Sequence, residues 1–207
     1  MTKIRWILKK QKDYLYDKQE IINPTFLHNS TLPYLGKNYR IKLIDQNSKN
    51  NGIYSKYNNN SDTIEFNNDT FIIIISKTDN STNNYTTSKI QEKIKSLYEK
   101  WIKERAKILF IPKIAKFSHD IGVSPQSYKI KFLRNRWGSL TKKGTIILNA
   151  NLMKAPEEII DYIIIHELCH LKIQGHSFHF WNFLKRYESD YPKRIDWLNT
   201  NGKYLLH

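Results

Sequence analysis

Towards the C-terminal end of this 207-residue chain, five residues read His166-Glu167-Leu168-Cys169-His170, and His176 follows. In a helix each residue advances by about 100°, so His166 and His170 share one face, one turn apart. Two imidazoles at that spacing can converge on one ion, with Zn–N distances of ~2.0–2.1 Å. Glu167 flanks the first of them. It is badly placed to bind the same ion in the same way but can reach a water on it. The chemistry such a unit supports is metal-assisted hydrolysis, in which zinc acidifies water and polarises a carbonyl while the carboxylate takes the proton. One zinc ion per chain is the expected cofactor.

A catalytic zinc needs three protein ligands and an open position. Gly175 is a plausible helix terminator, letting the chain turn back so that His176 supplies the third imidazole. His179, one turn later, and the acidic Glu188 are the alternatives. Coincidence is a weak explanation: four of the 7 histidines lie within residues 166–179, and an unpaired His or Glu is costly to bury in so apolar a segment. Cys169 reads as a core thiol, and Phe180, Trp181 and Phe183 as packing behind His176. Arg136 is the candidate stabiliser of an oxyanion, with a structural ion pair as its other reading.

The elements that must carry these residues follow from periodicity. Residues 4–22 have helical spacing and end before Pro24. From Tyr34 the pattern alternates: 39–44, 53–57, 63–66 and 70–77 are strand candidates, with turns at Asn51-Gly52 and Asn67-Asn68-Asp69. They read as an antiparallel meander. Residues 78–87 are polar and loop-like. Ser88 then caps a long helix with Ile90, Ile94, Leu97, Trp101 and Ile108 on one stripe. Pro112 is expected to break or bend it before a second segment ending near Asp120. Strands over 128–133 and 145–148 flank a turn region at Gly138 and Gly144. Pro156, Glu157 and Glu158 open the helix bearing the histidines, which runs to about Lys172, and a last helix covers 177–187. The order gives an α+β fold with an antiparallel sheet packed against helices. Residues 1–87 form the front part, a helix plus the meander, and 88–207 the core.

The net charge is +15. It concentrates in residues 101–150, where 11 Lys/Arg face 2 Asp/Glu. Such a block attracts polyanions or simply solvates one face. Lys129, Lys131, Arg134, Arg136, Lys142 and Lys143, with Phe132 and Trp137 interleaved, make residues 129–143 a possible nucleic-acid surface. The single Cys169 excludes an intrachain disulfide framework and a Cys-rich zinc ribbon. No stretch reads as a secretory signal or a bilayer span. A cytoplasmic protein with no membrane partner is expected.

These residues resemble the YgjP-like metallopeptidase family, distant relatives of the SprT-like proteases. The resemblance spans roughly residues 31–200. It is carried by Leu32-Pro-Tyr-Leu-Gly36, Tyr39-Arg-Ile, Trp101 with Glu104-Arg105-Ala106, Arg136-Trp-Gly-Ser139, Ile146–Asn149, Ala155-Pro156, Asp161-Tyr162 and His166-Glu-Leu-Cys-His-Leu171. His176-Ser177, Phe180-Trp181 and Trp197-Leu198 complete it. It implies a zincin-like catalytic domain in which His166, His170 and His176 bind zinc and Glu167 is catalytic, with protein or peptide as substrate. It also implies that a strand ending at Asn149 borders the cleft, where an edge strand commonly pairs with substrate backbone, so Asn149 joins Arg136 as a substrate-binding candidate. The family usually has cysteine where this chain has Leu140, and its relatives commonly begin with a strand-rich segment not matched here, so a truncated front is expected.

Two other functions compete. A DNA-associated protease or nucleic-acid-binding protein would use the basic block. A metal-dependent nucleoside triphosphate pyrophosphatase or hydrolase would turn the same metal chemistry on a phosphoanhydride, although no Walker-type glycine-rich loop is present to cradle phosphates.

Overall fold

The computed structural model describes residues 26–45, 61–75 and 87–206. The expected helix over 4–22, the strand over 53–57, the Asn51-Gly52 turn and the loop over 78–86 lie outside the described residues. Contacts divide the chain into two units, Asn23–Ile102 and the part from Lys103 onward, with the division falling inside the long helix.

In the first unit the run Phe71-Ile-Ile-Ile-Ile75 is apolar on both faces, which favours an inner position where both faces can be covered. β4 (Thr70–Ile75) accordingly lies inside a sheet of order β1-β2-β4-β3, where β1 is Thr31–Tyr34, β2 Lys37–Asp45 and β3 Thr63–Asn67. β1 pairs antiparallel with β2 and β3 with β4, but β2 and β4 run parallel. The sheet is therefore mixed, and the antiparallel meander is corrected. Alternation marks a strand without fixing its neighbour. Both hairpins turn through two residues of positive φ, Leu35-Gly36 and Asn68-Asp69, as the twist of antiparallel strands requires. One face is aromatic: Tyr39 meets Phe66 at 4.8 Å between centroids, and Trp101 meets Tyr34 at 5.0 Å and Phe71 at 5.1 Å.

α1 (Thr87–Ile121) is continuous, and Pro112 does not break it. Pro112 is exposed, as is Ile108 four residues earlier, so the carbonyl that loses its N–H partner lies where water can serve it. The buried positions from Ile94 to Ile114 are Ile94, Tyr98, Ile102, Ala106, Phe110 and Ile114, with Ile121 buried at the helix end, while Ile108 is 65% exposed. A strict spacing of four drifts around the helix by ~40° per step, which is why a straight stripe through Ile108 fails.

The second unit holds a three-stranded sheet, β5 (Ser127–Lys131), β6 (Gly138–Leu140) and β7 (Thr145–Asn149), in the order β5-β7-β6. β7 is parallel to β5 and antiparallel to β6. Gly138 thus belongs to a strand, and the turn is made by residues 141–144. A 3-10 turn (Ala150–Lys154) leads into α2 (Glu157–Cys169), with Pro156 as N-cap. α3 (Phe178–Lys185) is capped by Ser177, and α4 (Tyr191–Leu205) follows with Pro192 in its first turn. Every residue of α2 from Tyr162 to Cys169 is buried, so beyond its exposed first turn this helix runs through the core with no solvent stripe. Lys113 of α1 ties its start, pairing at 2.7 Å with both Glu157 and Asp161. The α+β arrangement with the His-Glu-x-x-His segment on a buried helix stands.

Candidate metal centre

α2 presents His166 and His170 one turn apart, and both Nε2 atoms point the same way, 3.2 Å from each other. The helix ends at Cys169, with tightened turns through Ile173. Gly175, at φ 76°, then reverses the chain in a conformation that β-carbons disfavour. The reversal delivers His176, whose Nε2 lies 2.9 Å from that of His166 and 3.1 Å from that of His170. His179 is exposed, and Glu188 instead faces Arg194 at 3.7 Å and accepts from the Asp190 amide at 3.2 Å. The structure therefore brings His176 to the pair, not either alternative.

Three imidazole nitrogens so close cannot all carry protons. His170 directs Nδ1 at the Ile173 carbonyl, 3.2 Å away. A carbonyl only accepts, so the proton sits on Nδ1 and the Nε2 lone pair faces the other two rings. Burial, joined by the neighbouring His170 and His176, holds His166 well below the usual histidine range, and burial also lowers His170. Converging neutral imidazoles are a donor set that a cation relieves. Their separations suit a tetrahedral ion with Zn–N near ~2.0–2.1 Å, whose ligands stand about 3.3 Å apart. The residues fit a metal. Among the described residues, these three form the group of His, Cys, Asp or Glu able to share one ion.

The rings are locked from behind. Phe180 stacks on His170 at 4.4 Å between centroids and meets His166 and His176 edge-on. Trp181 donates its indole N–H to the His176 carbonyl at 3.1 Å, and the Tyr162 hydroxyl lies 3.5 Å from His166 Nδ1. Glu167 is 4% exposed. Burial pushes its carboxyl up to about 8, against an opposing pull from Arg136. Cys169 is a wholly buried thiol raised to about 12 by burial, the core residue expected.

The sheet beside α2 corrects two expectations. β7 is the central strand, so the edge beside α2 belongs to β6. Asn149 is wholly buried. Its Nδ2 donates to the carbonyls of Leu133 at 2.8 Å and Arg136 at 2.9 Å, and its Oδ1 accepts from Asn151 N–H at 3.0 Å. It shapes the 133–137 loop, and its side-chain amide is fully engaged there, with Oδ1 also accepting from Leu133 N–H at 3.4 Å. Arg136 on that loop is exposed. Trp137 is 8% exposed and packs on Gly202, so it offers no stacking face to a base. Sequence reasoning missed Tyr162 and Gly138 as parts of the site. The signal for Tyr162 was its place four residues before His166.

A family model described as YgjP-like, metallopeptidase domain, matches residues 1–201. The chain belongs to this family. No curated protein matches it. Two solved structures are similar over part of it. Jannalysin of Methanocaldococcus jannaschii, described as a metallopeptidase zymogen, is 27% identical over 41% of this chain and 88% of that one, with a TM-score of 0.37. Abylysin of Pyrococcus abyssi, also a metallopeptidase zymogen, is 28% identical over 43% of this chain and 90% of that one, with a TM-score of 0.39. A YgjP-like metallopeptidase requires a catalytic metal, and the histidine triangle is where this chain can hold it. No helix among the described residues is long and apolar enough to cross a membrane.

Proposed function

We propose that this YgjP-like protein is a zinc-dependent peptidase in which His166, His170 and His176 hold the ion and Glu167 is the general base. One observation carries the reading: three Nε2 atoms lie within 3.2 Å of one another, and the next residue after His166 is a buried carboxylate. Zinc bound there supplies a Lewis acid that polarises a carbonyl and makes water acidic. The protein's own contribution is proton handling. Glu167, buried next to the first ligand, would take a proton from the water and return it to a departing amine. Arg136 is the residue we assign to the substrate side, because its guanidinium is exposed yet close enough to act on Glu167. Asn149 serves through the loop it holds, not by touching substrate.

The test is metal dependence. Chelator-stripped protein should lose hydrolysis of an unfolded polypeptide and regain it with about one equivalent of zinc. Activity that survives chelation and is indifferent to added zinc would sink the reading.

A second reading concerns a partner, not the reaction. Residues 121–156 contain seven Lys/Arg and no Asp or Glu. Lys129, Lys131, Arg134, Arg136, Lys142 and Lys143 are exposed, together with Tyr128 at 43% and Phe132 at 40%. Cations interleaved with exposed aromatics suit a nucleic-acid strand, with Tyr128 and Phe132 as the stacking faces in place of Trp137. Anisotropy with a labelled single strand should give binding that weakens steeply with salt and is lost in Lys129→Ala/Lys131→Ala. Binding flat in salt, or absent, would remove this partner.

A further inference from the structure

Gly138 opens β6 without needing to be glycine for its backbone. It is not among the residues of positive φ, unlike Gly36, Gly122, Gly144 and Gly175. Any L residue could adopt its conformation. Space is what forbids one. A Cβ at this position would stand 2.7 Å from Cγ of Glu167, 2.8 Å from Oε1 and 3.0 Å from Cδ, all inside the ~3.5–4.0 Å of ordinary carbon contact.

The strand cannot retreat to make room. Gly138 pairs with Leu148 in the antiparallel ladder. The carbonyl before it, on Trp137, accepts the Asn149 N–H at 2.8 Å, and Asn149 is itself fixed by the loop bonds of its side chain. Trp137 is wedged against Gly202, where an added Cβ would come within 3.2 Å of its ring. The helix is equally fixed, since every neighbour of Glu167 on α2 is buried. The component able to yield is the Glu167 side chain, and with 4% exposure it has no open solvent to swing into.

We infer that Gly138 is a positioning residue for Glu167: its missing side chain is the volume in which the carboxylate is held. The consequence for catalysis rests on Glu167 being the general base. The steric relation does not, and the two are separable by experiment.

The experiment is a double-mutant cycle on thermal stability, measured with metal-free protein, combined with kinetics and zinc titration. Gly138→Ala should lower Tm. In a Glu167→Ala background, where Cγ, Cδ and Oε1 are gone, the same change should cost little or nothing. Zinc-loaded Gly138→Ala should bind zinc as the wild type does and keep its KM, while kcat falls by about 10²-fold, the scale of an ångström-sized misplacement. Gly138→Ala that costs as much Tm without Glu167 as with it would overturn the inference. So would a double variant as unfolded as the single one, or full kcat in Gly138→Ala when Glu167→Gln is impaired. If the cycle couples but Glu167→Gln is as active as wild type, the base assignment fails and the steric one stands.

Discussion

His166 and His176 are ten residues apart in the chain, and their Nε2 atoms are 2.9 Å apart in space. A helix cannot achieve that alone, since ten residues would carry the second ring about 15 Å along its axis. The reversal at Gly175 closes the gap. His176→Ala should therefore weaken zinc binding by more than the ~10–100-fold typical of losing an outer partner of a ligand, whereas His179→Ala should leave it unchanged. Competition titration against a chromophoric chelator reads both. Equal effects would return the third ligand to open choice.

In metal-free protein, Glu167 should make stability depend on pH. Its folded carboxyl sits at about 8 against an ordinary value of 4.5, so between those values the folded state keeps a proton that the unfolded chain releases. Stability then falls as pH rises from 4.5 to about 8. Glu167→Gln removes this loss and should be more stable than wild type at pH 7 by roughly 3 kcal/mol at most, with the gap closing below pH 4.5. The lowered histidines act oppositely, losing stability as pH falls below about 6.5, but they are common to both proteins and cancel in the difference. Urea titrations across this range check it. Parallel curves for the two proteins would contradict the burial argument.

Much of this site was legible in the sequence, because the information was local. The helix holding His166, Glu167 and His170 follows from spacing, and Gly175 announced the reversal. What was not legible depended on neighbours distant in the chain. The parallel pairing of β2 with β4 and the central place of β7 are choices among strands that look alike in isolation. Gly138 reads as a turn residue until Glu167 is seen against it. Pro112 reads as a helix breaker until its carbonyl partner proves to face solvent. α4 went unread because Asn199, Asn201 and Gly202 dilute its helical pattern, and Leu198 and Gly202 are its buried residues.

Asn149 should matter to stability more than to chemistry. Asn149→Ala leaves the Leu133 and Arg136 carbonyls and the Asn151 amide without this partner, a loss of about 2–4 kcal/mol. Asn149→Asp keeps the acceptor but sets a carboxylate against two carbonyls, and should be at least as damaging. Denaturant midpoints measure both. A near-neutral Asp variant would mean that the amide donors contribute nothing.

Cys169 offers a probe of the core in a chain with one cysteine. Its thiol is wholly buried and raised to about 12, so almost none is thiolate at neutral pH. A thiol reagent should leave the native protein unlabelled and modify one site per chain once it unfolds. Fast labelling of folded protein would show α2 to be more open than described.

If Glu167 moves the proton in a centre built by three histidines, as proposed, its loss must slow hydrolysis without loss of metal. That role is tested most directly by the hydrolysis rate of an unfolded polypeptide by zinc-loaded wild type and zinc-loaded Glu167→Gln, with metal content measured on the same samples. Equal zinc and a kcat lower by about 10²–10⁴-fold in the variant are expected. Equal zinc with an equal rate would contradict it.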